Sequence, residues 1–574
     1  MTENTPQAPW EPIARQKQRE REARIPEKWR IGSSFLPKDP PLLEYGPQNV
    51  LEVPSQILSK DELDITEHYT TTTLLEAISK GKLSTQKVIE AFCHRAAIAQ
   101  QLTNCLTEPL FDQAAERAAF LDKYLADHDA TFGPLHGLPV SLKDTFDVKG
   151  VDTSIGLATY CLQPKDKNAP LVDLLLSLGA VIIAKTNVPQ TLSSLDSINN
   201  VFGRTMNPIN RLCTAGGSSG GEGVLVAMRG SLVGFGTDLG GSVRIPAMTN
   251  GIYGFKPSVS RLPYGGQAPM VLDGSLRIGM QPVAGPLART IDDINFVMRE
   301  LVPRAGLWAE DCVHGQWSSS QKPIKGSGPN GEAVIGVLRG DGVCNILPPI
   351  EQVLSQVAST LGQNSKFKIV ELPTPKAWTD SQETMFKLIN VDGGQLMWDL
   401  VHRTQEPLVP WVKARFTPSE PCTLEELAGL QARRSELELE MLQIWSELDE
   451  FGRRQRKLDA IILPVAPHPV PEIEKYNSLG YTSPFVLLDY PAGSMPIRDV
   501  VEEDLQLGVP LGGQSLGAQD DECRKLWDED VMDRKVYLGT PLSVQVVVPR
   551  LEDERLGRIM TMVDHVMKEE LSRT

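Results

Sequence analysis

Three segments put hydroxyl and amine side chains where the backbone is open enough to reach a ligand: AGGSSGGEG at 215–223, GTDLGGSVRIPA at 236–247 and PVSLKD at 139–144. Glycines in the first two let main-chain amides approach a bound group closely. The third ends an apolar strand on a lysine. A serine becomes a useful nucleophile only when a base takes its proton, and the eight histidines, at 68, 94, 128, 136, 314, 402, 468 and 565, are scattered away from these serines. A lysine desolvated by apolar neighbours can be neutral and serve as that base. His136, just before Gly137, reads as a turn residue.

Three short motifs fail on context. Residues 216–220, GGSSG, fit the G-x-S-x-G elbow of α/β-hydrolases, but that elbow needs a buried strand directly before it and RTMNPINRLCTA is not one. Gly234, Gly236 and Gly240 approach a dinucleotide-binding pattern with the last glycine one residue late. Ser84 and Lys87 fit S-x-x-K at a polar helix start, where Ser84 is placed to cap.

The elements that must position these residues alternate in type. Residues 1–65 read as an N-terminal arm, a charged helical run (QKQREREARIPEKW) followed by a Pro-rich extended segment, and no firm boundary divides 66–574. Two amphipathic helices follow, around Leu74–Ile78 and after Ser84. Then come the strand PVSLKD, the helix LVDLLLSLGA closing at Gly179, the buried strand VIIAK, the small-residue helix GVLVAMRG and the apolar run LVGFGTD. Strands are expected at AVIGVLRG, KFKIVEL, LDAIILPV and LSVQVVVP, and helices at 350–361, 423–451 and 555–571. Strand, helix, strand in succession points to an α/β sheet.

Composition narrows the partners. The 574 residues carry 57 Lys+Arg against 73 Asp+Glu, a net charge of −16, so nucleic acid is a poor partner. An apolar fraction of 41% with 23% charged residues is that of a folded globular chain. The cysteines, at 93, 105, 161, 213, 312, 344, 422 and 523, form no C-x-x-C pair and no zinc-ligand spacing, so no metal is expected and the thiols suit a cytoplasmic compartment. MTENTPQAPWEP lacks the basic and apolar regions of a signal peptide, and LSRT is no targeting address. The apolar stretch 171–184 is broken by Asp173, Ser177 and Gly179 and falls short of the ~20 residues of a membrane span, so no transmembrane segment is expected.

Six motifs in order, GLPVSLKD (137–144), AKTNVPQ (184–190), FGRTMNP (202–208), GGSSGGEG (216–223), GTDLGGSVRIPA (236–247) and GFKP (254–257), resemble the amidase signature family of serine hydrolases. The flanking text, from EPIARQKQRE through FCHRAAIAQQLTNCLTE to LDYP and LGTPLSVQVVV, resembles the fungal acetamidase and general amidase branch, and TNVPQ with FGRTMNP is similar to fatty acid amide hydrolases. The resemblance implies one large α/β domain built on a mixed, mostly parallel twisted sheet covered by helices on both faces. It implies hydrolysis of a small-molecule carboxylic amide to the acid plus ammonia or amine through an acyl-enzyme, with no metal or organic cofactor. A pathway-specific amide or ester hydrolase or acyltransferase on the same fold is the alternative, and a homodimer is compatible with the sequence.

By the same resemblance Ser242 is the nucleophile, Ser218 the proton bridge entered through a cis peptide from Gly217, and Lys143 the base. The amides of Leu239, Gly240, Gly241 and Ser242 are placed to stabilise an oxyanion, an approach that side chains at 240 and 241 would block. Burial must lower the Lys143 pKa by about two or three from its ordinary value of about 10.4. Ser219 is expected to be structural, Thr237, Asp238 and Arg244 to support the loop, and Leu192 to line the substrate channel. An α/β-hydrolase esterase would need a C-terminal histidine, for which only His565, inside a helical pattern, is available. An amidotransferase subunit acting on aminoacyl-tRNA sits poorly with the charge and the arm. The acyl pocket lies where the family varies, so short aliphatic, aryl and long-chain amides stay open.

Overall fold

Short runs of apolar, β-branched residues between turns make strands buried on both faces. In the computed structural model of the chain, which describes residues 9–46, 48–270, 274–318, 325–508 and 514–573, such runs contribute to an 11-stranded sheet. Its strands are β1 (Leu106–Pro109), β2 (Pro139–Lys143), β3 (Val181–Thr186), β4 (Val233–Asp238), β5 (Tyr253–Lys256), β6 (Val283–Ala288), β7 (Ala333–Leu338), β8 (Phe367–Leu372), β9 (Ala460–Pro464), β10 (Ala492–Asp499) and β11 (Pro541–Val547). They lie in the order β1-β3-β2-β4-β6-β5-β10-β11-β9-β7-β8. Every residue of β2, β3, β4, β6, β7, β9 and β11 is buried, so helices and loops cover both faces.

The sheet is the mixed one expected, with its two pairing modes segregated. Parallel pairing joins β2 to β3 and β4, and β7 to β8 and β9. The strands between these blocks, and the edge strand β1, pair antiparallel. The parallel strands stand out in the sequence as apolar runs except β8 (FKIVEL), where Lys368 and Glu371 are exposed. The antiparallel middle is carried largely by β5 (YGFK), β6 (VAGPLA) and β10 (AGSMPIRD), in which Gly and Pro interrupt the pattern that betrays a strand.

Helix ends follow their caps. The helix Thr85–Thr103 starts at Ser84, whose side chain accepts from the Lys87 amide, and stops at Asn104 in a left-handed conformation. Lys87 Nζ itself reaches exposed Asp61 at 2.7 Å, so the Ser84/Lys87 pair is a cap plus a surface ion pair. The helix expected over 423–451 ends at Trp445, where Ser446 turns extended and a hairpin, Ser446–Leu448 with Arg454–Arg456, replaces the last turns.

The arm is more structured than a Pro-rich extended segment. Its helix Trp10–Ala23 is followed by short 3₁₀ turns and by the capped helix Lys60–Glu67. Charge pins it down. Lys17 is 2% exposed and pairs with Glu108 on β1 and, at 2.8 Å, with Asp152, while Arg24 also meets Glu108. Burial alone would strip the Lys17 proton, but the two carboxylates hold the ammonium well above its ordinary range. Replacing Lys17 by Ala takes the cation from buried Asp152 and leaves Glu108 to Arg24 alone, a loss of about 3–5 kcal/mol. Thermal unfolding of Lys17→Ala should therefore show a clearly lowered midpoint, whereas Lys28→Ala, which breaks an exposed pair with Glu90 and a contact with the Trp29 ring, should shift it far less.

Candidate active site

Lys143 ends β2, where the in-register pairing of Val140, Ser141 and Leu142 with Val233, Gly234 and Phe235 sets it beside the end of β4. It is fully buried. Its ammonium nitrogen lies 2.7 Å from Ser218 Oγ and 2.6 Å from Thr237 Oγ1. Burial draws its pKa down to about 7, against the opposing pull of the Asp238 and Glu222 charges. Thr237 thus touches the lysine directly, a closer role than support of the loop.

Ser218 sits in the loop before the helix Gly220–Ala227. That loop is held from behind: Ser197 Oγ donates to the Gly217 carbonyl at 2.7 Å and Asn250 Nδ2 to the Ala215 carbonyl at 2.9 Å. The Gly217–Ser218 peptide is trans, and Asp39–Pro40 is the cis bond among the described residues. This corrects the cis geometry that the resemblance implied. A cis bond before a non-proline residue costs about 3–4 kcal/mol, and the trans chain already delivers the hydroxyl to Lys143. Ser219 turns away into the core, where its Oγ accepts from the Thr237 amide at 3.3 Å, as expected of a structural serine.

Ser242 follows β4 in the loop 239–243. Asp238, fully buried at the strand end, organises that loop: its carboxylate accepts from the amides of Gly241 at 2.8 Å and Val243 at 3.2 Å, and from Arg244 Nε and Nη2, each at 3.0 Å. Burial pushes the Asp238 pKa up, but the Arg244 charge and hydrogen bonds outweigh it and keep the carboxyl ionised below its ordinary range. Arg244 Nη1 continues to Gln545 Oε1 on β11 at 3.0 Å, tying the loop to the middle of the sheet. The Gly241 amide is therefore spent on Asp238 and does not join an oxyanion site. The amides of Leu239, Gly240 and Ser242 donate to no group among the described residues. Gly241 is required on other grounds, with φ at +134° and Thr482 packed where a Cβ would stand. At Gly240 a Cβ would meet only Leu479, at an ordinary 3.6 Å.

Glu222 escaped the sequence reading. It lies in the otherwise apolar helix Gly220–Ala227, fully buried, and accepts from Ser141 Oγ at 2.6 Å and Thr186 Oγ1 at 2.8 Å. Burial raises its pKa to about 8, opposed by those two hydrogen bonds and by Lys143. Gly234 on β4 is glycine because a Cβ there would collide with this carboxylate. A lone Glu in GGEGVLVA was the available signal. A second unread pair is Lys185 with Asp144, 2.7 Å apart next to Lys143, with Lys185 also donating to the Asp152 carbonyl at 2.6 Å. Through Asp152 this pair connects to Lys17 of the arm.

Lys143, Ser218 and Ser242 open together on a cavity of about 390 Å³, whose wall includes Thr191, Leu192, Leu239 and Arg277. A second cavity of about 570 Å³ shares Ser242, Leu192 and Leu239 with it, together with Ile389 and Met397, and includes Leu195, Met385, Trp411 and Phe416 in its wall. Leu192 therefore stands at the fork, in a left-handed conformation (φ 58°) shared with Thr191 (φ 61°). No hydrogen bond joins the Ser218 and Ser242 hydroxyls among the described residues, a contact that in hydrolases tightens on substrate binding. His565 is exposed on the C-terminal helix Asp553–Leu571, and the serines of GGSSG follow no strand, so an α/β-hydrolase triad has no support. Among the described residues no cluster of His, Cys, Asp and Glu could hold a metal ion, and no helix is long and apolar enough to cross a membrane.

A buried lysine thus stands beside serines in glycine-rich loops at the strand ends of a mixed sheet. Residues 87–556 match the Amidase family profile. The chain is 35% identical to an amidase of Gibberella moniliformis over 529 residues, 88% of this chain and 95% of that one. It is 33% identical to an acetamidase of Emericella nidulans over 556 residues, 95% and 96% of the two chains. In three dimensions it resembles a fatty acid amide hydrolase structure with a TM-score of 0.84 at 28% identity, covering 97% of this chain and 95% of that one. The chain belongs to the amidase signature family and is an amidase-family hydrolase.

If Lys143, lowered to about 7, is the catalytic base, kcat/KM for an amide should rise with pH through about 7 and level off above it, because only the neutral amine accepts a proton. Activity falls on the acid side as the lysine protonates. An optimum well below 7 in the pH profile, or loss of activity in EDTA, would contradict this assignment.

Proposed function

We propose that the chain hydrolyses a carboxylic amide through an acyl-enzyme on Ser242, with Ser218 and Lys143 as its proton relay. The observation that carries this is the lysine: fully buried, lowered to about 7, 2.7 Å from Ser218 Oγ, and opening on the same cavity as Ser242. Ser242 Oγ attacks the amide carbon and its proton passes by way of Ser218 to Lys143 Nζ. The carbonyl oxygen, now negative, is received by the unpaired amides of Leu239, Gly240 and Ser242. Lys143 returns the proton through Ser218 to the amide nitrogen, the C–N bond breaks, and the amine leaves. Water then adds to the Ser242 ester by the same relay and releases the acid.

Asp238, Arg244 and Thr237 act by placement. Asp238 and Arg244 hold the Ser242 loop before substrate arrives, which is what makes donors effective against a developing charge. Thr237 Oγ1 fixes the lysine on the side away from Ser218. The eight free thiols, six of them buried, support a reducing, cytoplasmic setting.

A fluorophosphonate probe should label the peptide containing Ser242; adduct on Ser218 or Ser219 with Ser242 free would overturn the assignment. The relay makes a sharper demand. An amine must be protonated to leave, whereas an activated ester expels its alkoxide with less help. Lys143→Ala and Ser218→Ala should therefore lower kcat/KM for an amide by a larger factor than for an activated ester with the same acyl group, and Ser242→Ala should abolish both. Equal losses in Lys143→Ala would remove the relay role of Ser218.

A further inference from the structure

Two cavities meet at Ser242, and they differ in what else they contain. The smaller holds Lys143 and Ser218, the groups that must hand a proton to the departing nitrogen. The larger holds neither of them, and its wall includes Gly240 of the oxyanion loop. Proton delivery thus places the leaving amine in the smaller cavity and the acyl group in the larger one.

The larger cavity is mostly apolar, with Leu195, Met385, Ile389, Trp411 and Phe416 in its wall, and Arg415 is the one charged residue among the described residues that line it. No acidic group lies within ion-pairing or hydrogen-bonding reach of Arg415 among the described residues; its guanidinium carbon instead stacks 3.6 Å from the centre of the Trp411 ring. Arg415 also lines an adjoining cavity whose one acidic residue among the described residues, Glu383, is held by Lys387 at 2.8 Å. In a chain of net charge −16, a guanidinium left without a carboxylate beside an apolar cavity is an unfilled receptor for one. The indole below it leaves the planar edge, with its parallel N–H donors, free for two-point contact. A second uncommitted group stands on the same wall, for the Gln382 side chain makes no hydrogen bond among the described residues, and its Nε2, unlike its acceptor Oε1, can donate to a carboxylate. A wholly apolar acyl chain would leave both groups unanswered.

We infer that the larger cavity takes an acyl group whose far end carries a carboxylate, received by Arg415 with Gln382 beside it. This rests on the Ser242 acyl-transfer mechanism proposed above and adds to it the class of substrate, a monoamide of a dicarboxylic acid or a longer amide with an anionic acyl terminus. The apolar wall contacts the methylene chain, and the arginine selects the end of it.

The test is steady-state kinetics of the full chain on matched primary amides of equal length, one series ending in a carboxylate (succinic to suberic monoamides) and one in a methyl group. At the best-fitting length the carboxylate member should be favoured in kcat/KM by about tenfold or more, the scale of one charge-assisted contact. The preference should weaken with added salt, collapse toward unity in Arg415→Gln, and be partly kept in Arg415→Lys. A wild-type chain that favours the methyl-ended series, or a preference untouched by Arg415→Gln, overturns the inference. Fluorophosphonate labelling run alongside separates the two levels: labelling at Ser242 without a carboxylate preference refutes the acyl-group assignment alone, whereas no labelling at Ser242 refutes the mechanism beneath it and the inference with it.

Discussion

Lys143 is fully buried, and an ammonium taken out of bulk water must either lose its proton or gain a counter-charge, since the uncompensated ion costs several kcal/mol. The two nearby carboxylates do not supply that charge at contact distance. Asp238 is consumed by Arg244 and two amides, and Glu222 by two hydroxyls. The neighbours that do touch the lysine, Ser218 and Thr237, are neutral hydroxyls. Burial therefore wins, and the lysine is poised near neutrality. Much of the surrounding architecture serves this outcome: strands buried on both faces exclude solvent, and the acidic groups are each given a competing partner.

Asp238 shows how one buried charge can organise a loop. Its four hydrogen bonds fix residues 241–244, and through Arg244 and Gln545 they anchor that loop to β11, far along the chain. The cost is one amide, that of Gly241, withdrawn from the pool facing the substrate. Rigid placement of the remaining donors is worth more to transition-state stabilisation than an extra donor on a mobile loop.

The parts of this site that were legible in the sequence are those in which local chemistry and glycine spacing coincide, namely Lys143, Ser218, Ser242, Asp238 and Arg244. Ser219, read as structural, bonds the Thr237 backbone in the core. Glu222, Ser141 and Thr186 were not legible, because their significance lies in the pairing of β2 with β3 and β4 and in the helix laid over them, which no local pattern encodes. The same holds for the sheet. The parallel blocks, β8 apart, announce themselves as apolar runs, while β5, β6 and β10 are held by cross-strand pairing in spite of Gly and Pro. The loop before Ser218 likewise depends on contacts from Ser197 and Asn250, whereas the Gly241 amide is diverted by Asp238 only three residues before it. Arg415 and Trp411 gave no signal at all, since a surface arginine acquires meaning only from the cavity behind it.

The fork at Ser242 separates two departures in time. On the proposed route the amine vacates the narrow limb while the acyl group is still tethered in the wide one, so the emptied space lies directly over Lys143 and Ser218. The next molecule to enter that space meets the relay first and the ester second. Water is the ordinary visitor, but the limb's volume of about 390 Å³ admits larger nucleophiles. Hydroxylamine or a second amine would there compete with water for the same acyl group, and the partition between hydrolysis and transfer is then set by the dimensions of one limb of the cavity, with no change in the catalytic groups.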